Sequence, residues 1–173
     1  MYIKMIGGLF LMSSATVIGL LKAEELNERV KMFQELKKML MFLQGELRFH
    51  KAELSEGFEN VASKVEEPYR SFLKEMAEQL NEGNKGGFET IWKENSHKLL
   101  RAEGLKKEDE QLFELLGGSL GYLDLTMQTE HLNLVMLRTE ETLKEAQELK
   151  QSRGKLYQTM GVTAGALLTL LLI

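Results

Sequence analysis

The sequence predicts an all-helical chain, and three features carry that reading. Leu, Met, Glu, Lys and Gln, the strong helix formers, dominate the 173 residues, and Pro occurs once. Apolar residues recur at spacings of three and four over long stretches, and no window alternates Val, Ile, Thr and Tyr as a half-buried strand does. The expected architecture is a cytoplasmic bundle of about six helices, residues 23–155, between an N-terminal transmembrane segment, residues 1–22, and a C-terminal one, residues 156–173.

The ends come first, because they set the class of the protein. From Met5 to Leu21 the chain reads MIGGLFLMSSATVIGLL, bounded by Lys4 and Lys22, with Ser13, Ser14 and Thr16 as its polar side chains. Such a helix is roughly 25 Å long, the short limit for crossing a hydrocarbon core of about 30 Å, and flanking Lys side chains extend it by snorkelling. A cleaved signal peptide is the competing reading. Leu21-Lys22-Ala23 is a poor cleavage site, however, and the helical pattern runs on through it. Leu156 to Ile173 reads LYQTMGVTAGALLTLLLI after Arg153 and Lys155, as a tail anchor does. Gly161 and Gly165 form a GxxxG, and Ala15 with Gly19 a small-xxx-small pair, so the two segments are expected to pack closely. Lys22, Arg29 and Lys31 follow the first segment and Lys150, Arg153 and Lys155 precede the second, against a lone Lys4 outside. That asymmetry directs the middle of the chain to the cytoplasm and both termini across the membrane.

Between the ends, Leu26, Val30, Phe33, Leu36, Leu40, Leu43 and Leu47 form one apolar stripe on a long first helix. Ser55 is the expected N-cap of a short second helix through Phe58, Val61, Ala62 and Val65. Glu66-Glu67-Pro68 opens a third, striped by Tyr69, Phe72, Leu73, Met76 and Leu80. Asn81 to Gly87 reads as a loop. Phe88, Ile91, Trp92, His97, Leu99 and Leu100 mark a fourth helix and Leu105 to Leu116 a fifth, ended by Gly117-Gly118. Asp124 is the expected N-cap of the last, whose stripe is Leu125, Gln128, Leu132, Val135, Thr139, Leu143, Ala146 and Leu149. The first and last helices should run antiparallel, with the short ones closing the bundle.

Constellations for chemistry are missing. No Cys is present, which removes disulfides, thiolate metal sites and thiol catalysis. His50, His97 and His131 stand in no metal-ligand spacing. Arg153-Gly154-Lys155 lacks the upstream Gly and the strand of a P-loop and reads as a basic patch beside the membrane. Gly117, Gly118 and Gly121 are glycines of a turn before they are a phosphate cradle. Glu140 and Glu141, adjacent on a helix, diverge and form a solvated face. A net charge of -4 argues against nucleic acid, which selects a basic face. The residues thus predict no catalysis, no cofactor, no metal and no small-molecule substrate, and a protein that binds other proteins.

Leu43-Gln44-Gly45-Glu46-Leu47-Arg48-Phe49, and Leu116-Gly117-Gly118-Ser119-Leu120-Gly121-Tyr122-Leu123-Asp124 followed by Gln128, His131 and Leu132, carry a resemblance. Together with the order of anchor, helical middle and apolar tail, they make the chain similar to the stage III sporulation protein AB family of endospore-forming bacteria. It departs at Lys51-Ala52-Glu53-Leu54, where the family tends to carry Thr-Pro-Leu. The resemblance implies a part in the channel complex between mother cell and forespore, in the mother-cell membrane facing the forespore. It also implies a soluble domain like that of the type II secretion inner-membrane F protein, the platform for a cytoplasmic hexameric secretion ATPase. The expected partners are that ATPase and the other membrane components of the sporulation channel. A membrane scaffold or a small-ligand sensor unrelated to secretion are the alternatives. The partner face is expected where the first helix ends and the last begins, at Glu46, Arg48, Phe49, Lys51, Gly117, Gly121, Asp124, Gln128 and His131. Ala15, Gly19, Gly161 and Gly165 are the expected packing residues of the two apolar segments.

Overall fold

A computed structural model describes residues 2–50, 53–83, 87–102, 107–120 and 125–172, apart from the side chains of 2–6, 11, 49, 50, 107, 108, 119, 125, 171 and 172. Every element among them is helical: α1 (Tyr2–Gly45), continued by a π-helical segment (Glu46–His50), then α2 (Leu54–Ala62), α3 (Tyr69–Asn81), α4 (Gly87–Ala102), α5 (Lys107–Leu120) and α6 (Leu125–Leu172). The chain divides into two compact units: residues 33–141, and the two ends, residues 1–32 with 142–173.

In the unit of residues 33–141 the predicted stripes are the core. Phe33, Leu36, Leu40, Leu43 and Leu47 of the first stripe are buried, as are Gln128, Leu132, Val135 and Thr139 of the last. A stripe at three-four spacing can bury only one side of a helix, so α1 and α6 lie against the short helices along that side. Gln44 on α1 donates its amide to the side-chain oxygen of Asn133 on α6 at 2.6 Å, and Lys37 pairs with Glu140, which fixes the two antiparallel. Tyr69, Phe58, Phe113, Met76 and Leu116 fill the interior between the short helices. Gly83 (φ 65°) and Gly87 (φ 69°) take the left-handed conformation that ends α3 and opens α4; residues 84–86 of the predicted loop lie outside the described residues.

Three boundaries differ from the sequence reading. α2 begins at Leu54, with Glu53 as N-cap and no side-chain cap bond, so Ser55 is inside the helix rather than capping it. The helix stops at Ala62, and Val65 is buried beyond its end. α5 does not end at Gly117-Gly118 but runs through both to Leu120. Gly117 is small for a tertiary reason: a Cβ there would lie 2.2 Å from Cδ1 of Trp92. The indole packs over that bare backbone and donates its N–H to the carbonyl of Phe113 at 2.8 Å. Asp124, the expected cap of α6, lies outside the described residues.

The unit of the two ends is a pair of antiparallel helical arms in tight contact. Gly8 meets Thr169, whose hydroxyl donates to the Gly8 carbonyl at 2.9 Å, and Gly19 meets Gly161. Leu9, Phe10, Val17, Ile18, Leu20 and Leu21 on one arm, and Leu156, Met160, Val162, Leu167, Leu168 and Leu170 on the other, are exposed. Among the described residues no helix is long and apolar enough to cross a membrane; the side chains of residues 2–6, Leu11 and residues 171–173 of the two apolar segments lie outside them.

Candidate docking surface

The residues expected to form a partner face divide by what they do within the chain. Glu46, in the π segment, is 5% exposed and turned inward. Its carboxylate accepts from Lys64 Nζ at 2.6 Å and from the Asn60 amide at 3.2 Å, tying the end of α1 to α2 and the turn after it. A buried carboxylate needs such partners, because losing its hydration is costly unless charge and hydrogen bonds replace it. Glu46→Ala is therefore expected to lower stability by about 1–3 kcal/mol. Thermal unfolding followed by circular dichroism checks this, and an unchanged midpoint would show that the clasp contributes nothing.

Gln128 is buried, and its amide donates to the carbonyl of Leu120 at 3.0 Å. Leu120 is the last residue of α5, so this bond satisfies one of the carbonyls a helix end leaves open. Gly117 lies beneath Trp92. Arg48 is exposed, and His131 is half-buried. The Phe49 side chain, Lys51, Gly121 and Asp124 lie outside the described residues. The Gln44–Asn133 bond brings the end of α1 beside the start of α6, so the surface around Arg48 and that around His131 are neighbours.

Of the small residues in the arms, Ala15, Gly19, Gly161 and Gly165 come together. A Cβ on Gly19 would fall 2.6 Å from the Tyr157 carbonyl, one on Gly161 2.8 Å from the Ala15 carbonyl, and one on Gly165 3.2 Å from the Ala15 Cβ. Toward the charged end of the arms, Lys150 Nζ donates to the side-chain oxygen of Asn27 at 2.6 Å, and the Asn27 amide donates to Glu24 at 3.1 Å. The Asn27 bond foremost holds the Glu24 carboxyl below the usual carboxylate range, and the bond and charge of Glu28 hold the Lys31 ammonium above the ordinary lysine value. A lowered carboxyl favours the folded state above its ordinary range and loses that contribution as pH falls through it. A raised ammonium loses its contribution only in strong alkali, so this cluster is insensitive to pH around neutrality.

Sequence reasoning overlooked an apolar flank of the two long helices. Met41, Leu134 and Leu137 fall off the buried stripes and are exposed. Their signal was their position: apolar residues at three-four spacing on the side opposite a predicted core.

The described residues contain no group of acidic or histidine side chains able to hold a metal ion. Among the described residues every element is helical, two long helices joined through four short ones, which defines an all-helical protein. The pattern that describes stage III sporulation protein AB matches residues 4–173, and the chain belongs to that family. It is 25% identical over 171 residues to the stage III sporulation protein AB of Bacillus subtilis (strain 168), covering 99% of each chain. Among solved structures it is similar in fold to a stage III sporulation protein AB with a TM-score of 0.65 and 22% identity, over 72% of this chain and 98% of that one.

Proposed function

We propose that this protein is a non-catalytic, membrane-anchored adaptor of the sporulation channel between mother cell and forespore, and that its helical bundle docks a cytoplasmic secretion-type ATPase. The observation that carries the membrane part is how the terminal arms treat their polar atoms. All six Ser and Thr hydroxyls of the two apolar segments donate to backbone carbonyls: Ser13 to Leu9, Ser14 to Phe10, Thr16 to Met12, Thr159 to Lys155, Thr163 to Thr159, and Thr169 to Gly165 and Gly8. Hydrocarbon offers no partner for a hydroxyl, so internal bonding of this kind, which Ser152 and Thr139 outside the segments also make, meets the requirement of a bilayer. The apolar side chains around them point outward, where water would leave them uncovered but lipid would not. The distribution of Lys and Arg supports a cytoplasmic bundle with both termini across the membrane. Family membership supports a role in sporulation.

The anchor reading predicts that the protein stays with membranes through alkaline carbonate extraction; release into the supernatant would remove it. The docking reading is tested separately. Reversing the charges of Arg48 and Lys51 together in the full chain is expected to weaken capture of the channel ATPase about tenfold, by the arithmetic of one lost charge-assisted contact. Helicity should be unchanged, because Arg48 is exposed and surface substitutions shift stability by only about 0.5 kcal/mol. Undiminished capture moves the interface away from the end of α1.

A further inference from the structure

The seam between α1 and α6 in the unit of residues 33–141 presents a surface with its own chemistry. Lys37, Met41 and Gln44 share one side of α1, and Asn133, Leu137 and Glu140 share the facing side of α6. The Gln44–Asn133 bond and the Lys37–Glu140 pair bracket the level of Met41 and Leu137. Between these polar bridges Met41 is 56% exposed and Leu137 59%, and Leu134 beside them is 46% exposed. At this level of the seam three large apolar side chains, one on α1 and two on α6, are thus left exposed.

The borders of this flank carry opposite charges. On α1, Lys38 and Arg48 fall on the same face as Met41, with Glu35 farther round, where it accepts from Lys38 at 2.9 Å and from the Glu66 backbone N–H at 2.7 Å. On α6, Glu130 and Glu141, both exposed, fall on the same face as Leu134 and Leu137, with Arg138 farther round. One border is basic and the other acidic, so the flank is complementary to itself. A twofold axis running along the helices lays α1 of one copy on α6 of the other, Met41 against Leu134 and Leu137, Lys38 and Arg48 against Glu130 and Glu141. An axis across the helices would set like charges together.

We propose that this flank is the docking surface for a second copy of the chain, in a twofold pairing that sets α1 antiparallel against the partner's α6. The inference rests on the helical unit alone and is independent of whether an ATPase docks.

The chain has no cysteine, so single introduced thiols report the geometry without background. Two differently tagged full-length copies, one Met41→Cys and the other Leu134→Cys, are co-expressed and treated in intact cells with a bismaleimide. The expected result is a mixed dimer of the two tags, about tenfold more abundant than same-position products from Met41→Cys or Leu134→Cys alone. Adding Leu137→Gln to both copies should reduce the mixed product about tenfold while leaving the circular dichroism spectrum unchanged, because that side chain is exposed. Three outcomes would overturn the proposal: no inter-chain product, a predominance of same-position products, or a mixed product indifferent to Leu137→Gln.

Discussion

Trp92→Ala is expected to lower stability by about 3–5 kcal/mol, the range for deleting a buried aromatic side chain. In a chain of this size that is a fall of roughly 10 °C or more in the unfolding midpoint. Trp92 joins three helices: it meets Phe72 of α3 edge-on at 5.3 Å, Phe88 of its own helix at 5.8 Å, and the α5 backbone through the Phe113 carbonyl. Two glycines in succession separate this lock from helix propensity. Gly117→Ala brings a methyl to 2.2 Å from a buried ring and should destabilise by about 1–3 kcal/mol, against a propensity gain of roughly 1 kcal/mol. Gly118→Ala meets nothing within 4 Å and should stabilise by up to about 1 kcal/mol. Chemical or thermal unfolding of the three variants gives the signs directly; a stabilising Gly117→Ala would mean the indole does not rest there.

Gly161→Leu is the second substitution with a large expected effect. Opposite Gly161 stand the Ala15 carbonyl and the Gly19 Cα, 2.8 and 3.1 Å from where a Cβ would be, and backbone cannot rotate aside as a side chain can. The arms must part, losing close packing over several turns at a cost of about 1–3 kcal/mol or more. Spin labels at Leu20 and Leu156, both exposed, should then report a longer separation in the variant than in the parent. An unchanged distance would show that the arms are held by something other than the Gly19–Gly161 contact.

The sequence revealed most where a residue's environment is periodic. Phe33, Leu36, Leu40, Leu43 and Leu47, and Leu132 and Val135, are buried because their spacing places them on one side of a helix, and spacing is visible in one dimension. It revealed least where a partner far along the chain decides. Gly117 and Gly118 look alike in sequence and resemble a helix stop, yet the first is there to admit Trp92, which stands 25 residues earlier. Glu46 and Gln128 carry polar side chains that suggest a surface, but each is buried because a distant donor or carbonyl, from Lys64 or Leu120, needs it. Ala15 with Gly19 and Gly161 with Gly165 were legible as small-residue motifs within each arm, while the register of one arm against the other is visible only in the structure. Met41, Leu134 and Leu137 passed unnoticed because attention to the core stripe treats apolar residues outside it as incidental.

The π-helical segment at Glu46–His50 has a consequence for how this family can vary in length. Wider i→i+5 bonding takes one residue more per repeat than the α form, so each such segment amounts to an extra residue absorbed in a helix. Losing a residue within Phe33–Leu43 would rotate every later side chain by about 100° and carry the stripe off the core. Losing one within Glu46–His50 would return the segment to α spacing and leave the preceding stripe in phase. The end of α1 is thus the place in that helix where a length change would leave the preceding stripe in phase, at the cost of moving Glu46 from its bonds to Lys64 and Asn60.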